Sequence, residues 1–297
     1  MNVLVTGGSG FIGRNIVRTL KERGETVGTL DLSQKSPGSD YHFTCDVRNS
    51  KKVQKALKGV DLVFHLAAVT SPPEFENLVG AGFEVNVMGT YNILAACHTN
   101  KVKRVVLASS SSIYGDIPKA ASEDKLPETY MNFYPLSKRI NEQTASLFKN
   151  YEVETVKLRF FNTYGIGENT KGSYSSVIWK FIESIRKGQK PVIFGDGKQS
   201  RDFVYVKDVA RGSVLASEKG KAGESYNIGS GRSVDFNSIF SIVKREMGYE
   251  GEAEYVKNPL KSYQQFTLAD ISKSRRVLDY LPKYDIKNGV RDILDSI

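Results

Sequence analysis

The chain of 297 residues holds only two cysteines, Cys45 and Cys97, and three histidines, His42, His65 and His98. Two cysteines so far apart make neither a disulfide framework nor a zinc-binding spacing, and the histidines are too scattered for a local metal motif. No metal ligand set is therefore expected. No apolar run reaches the ~18 residues of a membrane span. No basic-then-apolar leader precedes the opening MNVLVTGG, so a cytoplasmic protein with no membrane partner is expected. Proline-rich linkers, low-complexity tracts and internal repeats are missing too. The net charge is +9, yet the Lys and Arg residues form no block. Dispersed lysines solvate a surface and leave no footprint for nucleic acid.

What is present is the balance of an ordinary globular protein, 40% hydrophobic and 25% charged, with length for one large or two modest domains. The first half alternates between the strand period and the helix period. Strands are predicted at Asn2–Thr6, Thr26–Leu30, Asp61–Leu66, Arg104–Ala108 and Glu154–Arg159. Helices are predicted at Phe11–Arg23, Val53–Lys58, Val85–Cys97 and Phe133–Lys149. Such alternation implies an α/β fold, a doubly wound parallel sheet with helices on both faces. The second half is less regular, with helices predicted near Ser176–Lys187, Val206–Glu218, Phe236–Met247 and Ile271–Leu278.

Between the first strand and first helix runs Thr6-Gly7-Gly8-Ser9-Gly10-Phe11-Ile12-Gly13. Gly8, Gly10 and Gly13 fit G-x-G-x-x-G, and Gly7, Gly10 and Gly13 fit G-x-x-G-x-x-G. One glycine allows the tight turn, one lets backbone approach a pyrophosphate, and one lets helix pack on strand. The helix start then offers free N–H groups and a positive dipole end to the phosphates. Asp31 follows the second strand, where its carboxylate can accept hydrogen bonds from ribose hydroxyls and would repel a 2′-phosphate. NAD is thus favoured over NADP, with Lys35 nearby as the counter-argument. Asp46 and Val47 are placed to cap an adenine. His65 is read as a packed histidine, and Leu66, Ala67 and Ala68 as small residues that leave room for a dinucleotide.

Tyr134 and Lys138 are spaced i, i+4, on one face of a helix. A lysine ammonium beside a phenol favours phenolate, which would make Tyr134 a base near neutral pH. The run Ala108-Ser109-Ser110-Ser111-Ser112-Ile113-Tyr114-Gly115 follows an apolar strand. Its hydroxyls are therefore expected at the C-terminal sheet edge, where open α/β sheets bind ligands.

With these pieces the sequence resembles the extended short-chain dehydrogenase/reductase family, and within it the nucleotide-sugar epimerases. The matching segments span nearly the whole chain: TGGSGFIG, HLAA, VNVMGTYNIL, ASSSSIYG, YPLSK, RFFNTYG, GDGKQSRDFVYVKDVA, YNIGSG and TLADISKSRRVL. The resemblance implies Tyr134 as base, Lys138 as its partner and ribose ligand, and Ser110 as the hydroxyl that orients the sugar. It implies that Ser109, Asn86 and Phe161 line a tightly bound NAD. It assigns Asn162 to the sugar-nucleotide phosphates or sugar, Ser176 and Val177 to the nucleotide, and Arg201 to the diphosphate. Arg201 suits that role because a planar guanidinium matches phosphate oxygens. Where related 4-epimerases carry a further arginine, this chain offers Lys261 or Tyr263. The resemblance also implies a homodimer. The dinucleotide domain is expected over residues 1–165 plus about 203–228, and a discontinuous substrate cap over about 166–202 plus 229–297.

Departures narrow the subclass. Related 4,6-dehydratases carry Asp-Glu where this chain has Ser111-Ser112. Decarboxylases carry Glu at the position of Ser112. Epimerase-reductases carry Cys there and a later His, for which Gly167-Glu168 offers nothing. A 4-epimerase acting on a UDP-hexose is expected, with Ser111 and Ser112 lining the sugar. The alternative is an ADP-heptose-type 6-epimerase, because the segment around Lys171 resembles one in which that lysine is a second base, or another NDP-sugar oxidoreductase of the same family. A dinucleotide sensor without catalysis is disfavoured by the complete Ser110–Tyr134–Lys138 set.

Overall fold

The fold comes from a computed structural model, which describes residues 1–36, 38–70, 72–259 and 263–297. The strands are β1 (Asn2–Thr6), β2 (Thr26–Asp31), β3 (Tyr41–Thr44), β4 (Leu62–His65), β5 (Arg104–Ser110), β6 (Glu154–Phe160), β7 (Asn162–Tyr164), β8 (Val192–Phe194), β9 (Ser200–Tyr205), β10 (Ser225–Ile228), β11 (Ser233–Asp235) and β12 (Glu254–Val256). The helices are α1 (Phe11–Glu22), α2 (Ser50–Ala56), α3 (Pro72–Asn77), α4 (Val79–Phe83), α5 (Gly89–Asn100), α6 (Phe133–Leu147), α7 (Val177–Arg186), α8 (Val206–Lys219), α9 (Phe236–Glu246), α10 (Ser272–Leu278) and α11 (Ile286–Leu294).

Seven strands form one sheet in the order β10-β6-β5-β4-β1-β2-β3, and every pairing in it is parallel. Side chains alternate across it. Val3, Val5, Phe64 and Val106 enter the core under α1 and α8, whereas Leu4, Val63, Val105 and Leu107 enter the core under α2 and α5. Both faces of the central strands are buried, which is why β1, β4 and β5 read as apolar runs. The chain runs outward from β1 to β3, then crosses back to β4 on the other side of β1. The crevice at that switch point, outside the C-terminal strand ends, is where such sheets take ligands.

A third core gathers Tyr164, Trp179, Phe203, Tyr205, Phe240 and Ile293. Above it lie a three-stranded sheet, β11-β9-β7, and the pair β12-β8. The expected domain division at 202/203 falls inside β9, whose residues pair with both β7 and β11. Predicted element ends move by a few residues. The larger difference is at Val85–Cys97, where Glu84–Met88 forms a π-helical turn before α5. Among the described residues no helix is long and apolar enough to cross a membrane.

Candidate active site

Gly7 leaves β1 with φ +69°, a left-handed conformation suited to glycine. A Cβ on Gly13 would collide with the Gly7 carbonyl oxygen, so α1 packs onto the loop only because that position is glycine. Gly10 caps α1 without a side-chain bond, and no acidic residue follows in the first turn. The N–H groups around Phe11 and Ile12 therefore meet no competing side-chain anion, a cradle that fits a dinucleotide diphosphate. Asp31, at the end of β2, is moored beside this loop. Its carboxylate accepts from Ser9 N–H and Ser33 N–H, both at 3.0 Å. Lys35 joins the loop through its backbone, its carbonyl accepting from the Ser9 and Ser33 hydroxyls, while its side chain is exposed. Asp46 is gripped by Arg48, whose guanidinium holds its carboxyl below the usual carboxylate range, and Val47 beside it is buried. If the Asp31 carboxylate receives the adenosine ribose, Asp31→Ala will weaken NAD binding about tenfold, the worth of one charge-assisted hydrogen bond, and narrow the preference over NADP. Titration of both dinucleotides checks this, and tighter NADP binding by the unaltered protein would contradict it.

His65 ends β4 and is buried, which pushes its imidazole down to about 3, with Lys138 adding to the effect. The Thr6 hydroxyl accepts from Leu66 and Ala67 N–H, so its own proton goes to His65 Nδ1 at 2.7 Å. His65 Nε2–H then donates to the Thr90 hydroxyl, which donates to the Asn86 carbonyl. This neutral relay fixes the turn at Leu66–Ala68 against α5. Both ring nitrogens of the histidine are thus taken up in packing contacts. Asn86 is wholly buried and clamps Val69 through both N–H and C=O, with a third bond to the Ser137 hydroxyl. Its side chain thus shapes the wall of the dinucleotide crevice through other residues. Phe161 likewise lies in the core, stacked on Tyr114.

Ser110 closes β5, and Tyr134 and Lys138 lie in the first two turns of α6, whose N-cap Asn132 accepts from Tyr134 N–H. The Ser110 oxygen accepts from Ser112 N–H and from the Ser112 hydroxyl at 2.9 Å. With both lone pairs engaged, its proton is left for the Tyr134 phenol, whose pKa it pulls down. Lys138 donates to the Ala108 carbonyl at 3.2 Å and lies 5.9 Å from the Tyr134 ring centre. The three expected residues are brought together. The expected lowering of the phenol's pKa is not found, however. Burial pushes Tyr134 up to about 12, the Ser110 bond pulls it down, and Glu74 raises it further. Burial also lowers Lys138 to about 8, so the lysine pays its own desolvation and cannot make phenolate the resting state at neutral pH. Ser109 points the opposite way along the pleat and donates to Glu142 at 2.7 Å.

On the substrate side, Arg201 of β9 is buried and its guanidinium faces Tyr263 and Phe236, with ring centres at 5.0 and 5.7 Å. It donates to the Ser200 and Gln264 carbonyls and has no ion-pair partner among the described residues. Asn162 accepts from Thr267 at 3.1 Å. Lys261 lies outside the described residues. Ser176 caps α7, which starts at Val177, and donates to the buried Glu168. Lys171 sits 3.5 Å from that Glu168 and 5.6 Å from the Phe11 ring centre. Sequence reading overlooked Glu168, Glu142 and Arg159. Each is a buried charge, and the Glu142–Arg159 pair joins two different elements.

Comparison with known proteins agrees with this arrangement. The model of the NAD dependent epimerase/dehydratase family matches residues 3–229. A putative UDP-glucose 4-epimerase of Methanocaldococcus jannaschii is 35% identical, over 99% of this chain and 97% of that protein. An ADP-L-glycero-D-manno-heptose-6-epimerase of Alkalilimnicola ehrlichii is 32% identical, over 99% and 97%. The crystal structure of UDP-glucose 4-epimerase with UDP-glucose from Thermotoga maritima superposes with a TM-score of 0.93 at 29% identity, covering 99% of this chain and 98% of that one. Sequence, fold and site geometry together place this chain in the NAD dependent epimerase/dehydratase family, among its nucleotide-sugar epimerases.

Proposed function

We propose that this cytoplasmic enzyme inverts C4 of a UDP-hexose, such as UDP-glucose to UDP-galactose. The observation that carries the reading is the Ser110–Tyr134–Lys138 set at the C-terminal edge of the sheet, with Tyr134 and Lys138 buried, Ser110 half-buried and two uncharged serines, Ser111 and Ser112, beside it. NAD, when bound, supplies a hydride acceptor and returns the same hydride. In its phenolate form Tyr134 would take the proton of the C4 hydroxyl as C4 is oxidised, and give it back as the keto carbon is reduced. Ser110 donates to the reacting oxygen or to the phenolate and keeps the two in line. Lys138 holds positive charge below the phenol. Arg201, Asn162 and Tyr263 hold the diphosphate, so the keto sugar can turn and present its other face. A site that grips the diphosphate and leaves the sugar free of charged contacts suits such a rotation.

The 6-epimerase alternative needs Lys171 as a second base. Its contact with Glu168 and its place over Phe11 engage it at the dinucleotide loop, which supports the 4-epimerase reading. The proposal includes a homodimer, supported by apolar side chains left exposed near the ends of α5 and α6, among them Tyr91, Leu147 and Tyr151. Incubation with UDP-, GDP-, ADP- and dTDP-sugars tests the function. The expected result is an equilibrium pair of UDP-hexoses epimeric at C4. Turnover of an ADP-heptose alone, a keto-deoxy product or release of carbon dioxide would reject it.

A further inference from the structure

Ser110 and Tyr134 stand on different elements, β5 and α6, so their approach depends on how those elements are held. We propose that Glu142, clamped by Arg159, is a positioning residue that ties the Ser110 strand to the Tyr134 helix through Ser109. The inference rests on the reading in which Ser110, Tyr134 and Lys138 carry the chemistry.

Glu142 lies eight residues after Tyr134 and four after Lys138, on the same face of α6. One carboxylate oxygen accepts from the Ser109 hydroxyl at 2.7 Å and from Arg159 Nε at 2.9 Å. The other accepts from Arg159 Nη2 at 2.8 Å. The bond from Ser109 to Glu142 is thus a direct strut between the residue next to the catalytic serine and the helix of the catalytic tyrosine. Arg159 extends the strut to the far end of the serine run. Its Nη1 donates to the Tyr114 hydroxyl and to the Glu123 carbonyl, both at 2.8 Å. Tyr114 in turn donates to Asn227 of β10 at 2.6 Å. Ser110, Ser111 and Ser112 are therefore suspended between two fixed points, Ser109 and Tyr114.

A buried ion pair is an expensive way to gain stability. The Glu142 and Arg159 side chains are 1% and 3% exposed, and desolvating two charges consumes most of their attraction. Apolar side chains would fill the same volume at less cost. What the pair adds is direction, because a bidentate guanidinium fixes the carboxylate plane and leaves one lone pair aimed at Ser109. Direction is what a hydroxyl–phenol contact needs, since misplacements of about 1 Å can cost a hundredfold in rate.

The test uses the NAD-loaded protein with isotope-labelled tyrosine. The Tyr134 Cζ resonance is assigned by its loss in Tyr134→Phe. Ser110→Ala moves it by removing the donor. Ser109→Ala should move it in the same direction, should add nothing in the Ser110→Ala background, and should be reversed by Ser109→Thr. Glu142→Gln should act as Ser109→Ala does. With UDP-glucose, kcat should fall roughly ten- to a hundredfold while KM stays near its starting value. A Tyr134 resonance unmoved by both Ser109→Ala and Glu142→Gln, or fully additive effects of Ser109→Ala and Ser110→Ala, would overturn the proposal. Failure of the underlying reading shows differently, as turnover that persists in Tyr134→Phe.

Discussion

Tyr134→Phe lowers kcat by roughly 10²- to 10⁴-fold, the range for loss of a positioned acid–base group, while NAD affinity stays within a few-fold. In the proposed mechanism the phenol oxygen is the group that exchanges a proton with the sugar, and Ser110 is the neighbour that pulls its pKa down. Phenylalanine keeps the ring, including its edge contact with Phe75 at 6.1 Å, so the fold survives the change. Steady-state kinetics with a UDP-hexose and NAD titration check the two halves separately. Because burial pushes the phenol up to about 12, turnover in the unaltered enzyme should also rise with pH through neutrality.

Lys138→Met abolishes most turnover and yet stabilises the NAD-free protein. The lysine is 5% exposed, with burial lowering it to about 8 from an ordinary 10.5. Below pH 8 it is protonated in both folded and unfolded states, and the full cost of burying its charge is felt. Between those values the folded form is neutral while the unfolded form still binds a proton, so the stability of the unaltered protein climbs with pH. Above the upper value both states are neutral and the cost is gone. The gain on substitution is about 1–3 kcal/mol at neutral pH, after allowing for the bond lost at the Ala108 carbonyl. It should fade as pH approaches the ordinary lysine value. Thermal denaturation across this range checks the sign, and a gain that grows with pH would refute it.

Much of this site was legible because its chemistry is carried by short-range spacing. The glycine loop, Asp31 one strand later, and Tyr134 with Lys138 at i, i+4 are all local patterns. So were the runs of β1, β2, β4, β5 and β6, which are largely buried, whereas the short, half-exposed β3 was not foreseen. What spacing could not show depends on partners distant in sequence. Arg159 sits in the run ETVKLRF, where the strand period calls for burial and the charge argues against it. Its partner Glu142 is on another element, seventeen residues away. The π-helical turn at Glu84–Met88 is invisible for a similar reason, as Asn86 is set by Val69 and Ser137. Strands β8, β11 and β12 have three residues each, too few for a period to register. The expected phenol shift failed because a sequence gives the charge beside Tyr134 and says little of the desolvation that outweighs it.

The central claim is that C4 is oxidised and re-reduced by one hydride that never meets water. The most direct measurement follows UDP-glucose carrying deuterium at C4, with catalytic NAD, by NMR. The account predicts UDP-galactose that retains the deuterium at C4, with no accumulating NADH. Loss of the label to solvent, or a product with C4 unchanged and inversion at another carbon, would contradict it.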